Sequence, residues 1–171
     1  MPTIVGETSP LHSEPTPGKA ESIIDRNMEQ IQSGDQTIRY DREQTGKAYA
    51  ELKNGDAERC GCSSCRNFAA QRSTAYPENF RRLLEQLGID PKKEGEVYEC
   101  GPEGSLRVYG GWFYFVGELI EPGERMADAG AEFQYYFVDA KRLPKPKANF
   151  GHNVLAVEFT TRLPWVIPEQ P

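Results

Sequence analysis

Between residues 80 and 87 the apolar positions Phe80, Leu83, Leu84 and Leu87 recur at three- and four-residue spacing, with charged and amide side chains between them. That is the period of a helix with one buried stripe. Pro77 suits a first helical position and Gly88 ends the stripe, so the pattern predicts a helix between them. A second helix is predicted over 63–72, where Cys65, Phe68, Ala69 and Arg72 fall on one side. Ile24, Met28 and Ile31 follow i, i+4, i+7, with Ala20 one turn earlier and Gly34 as a stop, and predict a third.

Elsewhere the period is two. Residues 37–41 alternate as a half-buried strand does. Residues 47–53 fit either period: Ala48, Ala50 and Leu52 share a strand face, Tyr49 and Leu52 a helix face, and the strand is preferred. Beyond residue 94 strands dominate, at 96–100, 108–116, 133–138 and 154–160. Pro102, Pro122-Gly123 and the run Leu143-Pro144-Lys145-Pro146-Lys147 supply turn and loop chemistry between them. Helices followed by strands, with no regular helical crossover, predict an α+β fold. Its sheet is mostly antiparallel, drawn from the C-terminal half and packed on helices from the N-terminal half.

The run Tyr109 to Val116 is apolar on both strand faces. Two arrangements follow. Either this is a central strand covered on both sides, or Phe113 and Phe115 face the helices while Trp112 and Tyr114 are kept on an accessible face that binds a partner.

Composition separates a leader from a folding unit. Residues 1–39 contain no aromatic side chain, whereas residues 98–159 hold 12 of the 18. Pro2, Pro10, Pro15 and Pro17 make residues 1–20 an extended, proline-rich arm, and residues 21–171 a single domain. The longest uncharged stretches, 108–117 and 148–157, are half the ~20 residues a bilayer-spanning helix needs. The first residues lack the basic start and apolar run of a secretory signal, so the expected compartment is the cytoplasm. The net charge is −6 and the basic residues are dispersed. Phosphate contacts supply most of a nucleic-acid binder's affinity, so a nucleic-acid partner is disfavoured and a protein partner expected.

The sharpest chemical feature is Cys60-Gly61-Cys62-Ser63-Ser64-Cys65, a knuckle at 60–65. Reduced thiols clustered this closely point to metal or redox chemistry. A tetrahedral zinc ion takes soft or borderline ligands, and a Cys-x-x-Cys turn gives two with little strain. The Cys-x-Cys step adds a third. The fourth candidate is Cys100, with His152 second. The expected zinc ligands are therefore Cys60, Cys62, Cys65 and Cys100, and an iron–sulfur cluster ranks lower because its usual spacings differ.

The competing readings are a redox dithiol at Cys62 and Cys65, and three buried cysteines with no ligand. Nucleotide-binding loops, nucleophile elbows and metalloprotease helices do not occur in the sequence. The five acids Glu118, Glu121, Glu124, Asp128 and Glu132 read as a solvated connection. The sequence thus favours a non-catalytic accessory or adaptor protein with a cysteine-bound structural metal. A thiol-redox enzyme or sensor is the alternative, and an acidic inhibitor or immunity-type protein the third.

Overall fold

The structure is a computed structural model that describes residues 27–130 and 132–169. The proline-rich arm and the first part of the 20–34 segment lie outside them. Seven antiparallel strands form one sheet: β1 (Glu29–Ser33), β2 (Gln36–Tyr40), β3 (Glu96–Glu103), β4 (Leu106–Glu121), β5 (Ala127–Gly130), β6 (Phe133–Asp139) and β7 (Val154–Pro164). Their order is β1-β2-β4-β7-β6-β5, with β3 also paired to β4. Between β2 and β3 run α1 (Arg42–Glu51), the single turn α2 (Asp56–Cys60), α3 (Ser63–Ala75) and α4 (Glu78–Gln86). The fold is α+β, as the sequence predicts.

Strand β4 is the spine. One edge pairs with β7 from Leu106↔Pro164 to Val116↔Val154. The other edge is shared, with β3 taking 106–112 and β2 taking 117–121. The stretch left between those two partners would expose bare peptide groups, which are costly to bury unpaired. Helix α1 fills it. Val116 N–H donates to Thr45 Oγ1 at 3.0 Å, its carbonyl accepts from Asp41 N at 2.9 Å, and the Tyr49 hydroxyl donates to the Tyr114 carbonyl at 3.0 Å.

Two predicted elements are corrected here. Residues 47–51 belong to α1, not to a strand; only Thr45, Ala48 and Tyr49 of α1 are buried, too thin a stripe to set a helical period. The Ile31 end of the predicted 20–34 helix is strand β1, joined to β2 by a two-residue turn at Gly34 and Asp35.

Both faces of central β4 are covered. On one, Phe113, Phe133 and Phe159 pack with Tyr76 and Phe80 from the helical side, and Phe133 stacks on Phe159 at 5.7 Å. On the other, Trp112 meets Tyr98 and Tyr114 meets Phe150, while the Tyr114 hydroxyl donates to the Pro144 carbonyl at 2.5 Å. Phe113 and Phe115 are 0% exposed; Trp112 and Tyr114 are 8% and 5% exposed. The face carrying Trp112 and Tyr114 is therefore covered rather than open. Gly110 and Gly111 let the rings approach. A Cβ on Gly110 would fall 2.5 Å from the Tyr98 ring, and one on Gly111 would fall 2.7 Å from Phe159.

Candidate metal centre

The cysteine knuckle is built by two helix ends meeting at one glycine. Helix α2 ends at Cys60, and Gly61 turns the chain with a left-handed φ of 67°. That conformation costs an L side chain energy and glycine nothing. Cys62 then caps α3, its Sγ accepting from Cys65 N at 3.4 Å. Cys65 lies in the first turn of α3 and points inward, where its thiol donates to the Val97 carbonyl at 3.9 Å.

The result is a triad. The Sγ atoms of Cys60, Cys62 and Cys65 all lie within 4.8 Å of one another, and this trio can hold a metal ion. Cys60 and Cys62 are exposed and Cys65 is buried. Burial pushes the Cys65 thiol up, and its hydrogen bonds with Cys60 and Cys62 push it further. For Cys62, burial also acts upward, but the Cys65 amide and the Cys60 thiol outweigh it and the net shift is down. One exposed, acidified thiol thus sits beside a buried, neutral one.

The knuckle is anchored to the outer edge of β3. Asp56 Oδ2 accepts from Val97 N at 3.2 Å, while the Val97 carbonyl takes the Cys65 thiol. An edge strand with free peptide groups invites unwanted pairing, and here the α2–α3 corner covers that position. Farther along α3, Asn67 Nδ2 donates to the Tyr109 hydroxyl at 3.0 Å and to the Pro164 carbonyl at 3.1 Å. Arg72 makes a two-pronged pair with buried Glu94, at 2.6 and 3.1 Å, and Tyr76 donates to the same carboxylate. Ser64 and Arg107 both bond Glu99, Arg107 at 2.9 Å. All of these ties except the Cys65 S–H donation, which a thiolate ligand gives up, hold the corner against the sheet.

The structure brings Cys60, Cys62 and Cys65 together but not Cys100 or His152. Cys100 is exposed at a β-bulge between Glu99 and Gly101, three residues beyond Val97, or roughly 10 Å of strand. His152 precedes β7 and lines an open cleft of about 860 Å³ with Leu119, Leu143 and Val154. Val154 pairs with Val116, whereas Tyr109, the residue that Asn67 grips, pairs with Thr161 at the other end of β4. The feature that the sequence left unseen is α2 itself. Its single signal was Gly55, a helix cap followed by only the five helical residues Asp56–Cys60.

Among the described residues no helix is long and apolar enough to cross a membrane. Comparison of the chain with protein-family models, curated proteins and solved structures finds no match.

Proposed function

We propose that the protein binds one zinc ion through Cys60, Cys62 and Cys65, and that the ion is structural. The observation that carries this reading is the mutual approach of three thiols within 4.8 Å. Tetrahedral Zn–S bonds of about 2.3 Å put sulfurs about 3.8 Å apart, so the trio needs only small side-chain rotations to close on an ion. An all-sulfur donor set suits zinc and disfavours calcium or magnesium, which take oxygen. In this reading the ion clamps the end of α2 to the start of α3, next to the β3 edge. The protein is then a non-catalytic accessory protein, with its metal-clasped corner at the surface for a protein partner. The test is metal analysis of untagged protein with free-thiol titration in parallel. One zinc per chain, lost in Cys62→Ser, is expected; a metal-free protein with three reactive thiols in the knuckle would overturn the reading.

A second reading has its own support. Cys62 caps a 13-residue helix and Cys65 sits one turn later, exposed and buried respectively. Helix N-termini stabilise thiolates, and such a Cys-x-x-Cys pair is suited to dithiol–disulfide exchange. Absence of metal, together with a fast-reacting Cys62 and a reversible Cys62–Cys65 disulfide, would favour it.

A further inference from the structure

We infer that the ion at this centre keeps one coordination position open to solvent and takes there a small thiol from outside the chain. The inference rests on the zinc reading above and adds what completes the site. A structural zinc site is closed by four ligands, so with three supplied by the chain an exogenous group must supply the fourth, at the position that catalytic zinc sites leave to water or substrate.

Among the described residues the group contains three ligand atoms. Cys100 lies along β3 beyond the knuckle, and His152 stands at the opposite end of the β4–β7 pair. Glu99, the acid that bonds Ser64 within the knuckle, is already held by the Arg107 guanidinium. The two exposed thiols, Cys60 and Cys62, place the ion at the surface, while buried Cys65 forms the inner leg of the tripod.

The chemistry of the vacant corner favours sulfur. Three thiolates make the ion soft, and closed sites of this type end in a fourth thiolate or an imidazole. A fourth thiolate adds negative charge, and the N-terminus of α3 sits beside Cys62 to offset it: the Cys65 amide points at the Cys62 sulfur. Arg66, half exposed and held to Glu169 only at 3.4 Å, lies in the same first turn. On binding, the incoming thiol gives its proton to solvent and displaces one coordinated water, with no change in oxidation state.

Cobalt(II) in place of zinc makes the ligand count visible. Full-length protein loaded with cobalt should be titrated with glutathione while its sulfur-to-cobalt charge-transfer and ligand-field bands are followed, and then passed through a size-cutoff filter. The expected result is band growth that saturates at one glutathione per cobalt, with the cobalt retained by the protein. An unchanged spectrum would show four protein ligands and overturn the open position alone. Loss of cobalt to the filtrate would overturn it too. If cobalt does not bind, or binds Cys62→Ser equally well, the zinc reading itself falls. Cys100→Ser and His152→Ala should titrate as the parent does; a spectrum altered before any glutathione is added would name that residue as the fourth ligand.

Discussion

The aromatic wall behind β4 and the cysteine corner at its side are held by different physics. The wall is apolar contact: Phe113, Phe133, Phe159, Tyr76 and Phe80 interlock in a dry layer. The corner is a set of individual polar ties, from Asp56 to Val97, from Asn67 to Tyr109 and from Arg72 to Glu94. Dense packing makes the wall intolerant of any change in volume. The corner tolerates side-chain movement at its exposed thiols, which is what a site that admits an ion requires. The packing of the wall and the ligands of the corner thus lie on separate residues, and a wall substitution should leave the metal site's ligands in place.

The largest effect belongs to the wall. Phe113→Ala should cost about 3–5 kcal/mol, the range for truncating a buried aromatic, and leave the zinc stoichiometry of the folded fraction unchanged. Denaturant melts with metal analysis check both halves, and a loss of zinc with the fold intact would break the separation.

Next comes the tie between the two regions. Glu94→Ala removes the buried partner of Arg72, and breaking such a pair costs roughly 3 kcal/mol at the low end of the usual range. The low end applies because Arg72 keeps a 3.0 Å contact with Glu58. A melt unchanged by this substitution would mean that Asn67 and the apolar face hold α3 without the Arg72–Glu94 pair.

Gly111→Ala probes close approach. The new methyl group meets the Glu96 carbonyl oxygen of β3 at 2.5 Å and the Phe159 ring at 2.7 Å, and overpacking of this kind costs about 1–3 kcal/mol. Neutrality in urea denaturation would show that both the β3 backbone and the ring can move aside.

Tyr114→Phe should be smallest. It removes the hydrogen bond to the Pro144 carbonyl but keeps the ring, for about 1 kcal/mol. A larger loss would show that the segment around Pro144 depends on this one contact.

The same division explains what the sequence disclosed. The strong stripe of Phe80, Leu83 and Leu84 made α4 legible, because an amphipathic helix writes its burial into its spacing. The doubly apolar run Tyr109–Val116 fitted both a strand covered on two sides and one with Trp112 and Tyr114 on an accessible face. Spacing alone could not choose between them; both side chains are buried. Helix α1 was misread because its role is polar: Thr45 and Tyr49 serve the backbone of β4, and such duties leave little periodicity. One cue was present, since Asp41 caps the helix through Gln44 N. Strand β1, a largely exposed edge strand, contains only Ile31 of the weak Ile24, Met28, Ile31 spacing, and its two-residue turn at Gly34 was the better signal. For the site, local spacing disclosed the three clustered thiols. Whether Cys100 joins them could not be read this way, because its distance from the knuckle is set by the register of β3, which a bulge shifts.

Zinc titration of reduced, metal-stripped protein tests the central claim most directly. Calorimetry should give one zinc per chain in the parent protein and in Cys100→Ser and His152→Ala. Cys60→Ser, Cys62→Ser and Cys65→Ser should each weaken binding by at least tenfold, or about 1.4 kcal/mol. No heat of binding in the parent, or binding that survives all three knuckle substitutions, would contradict the account.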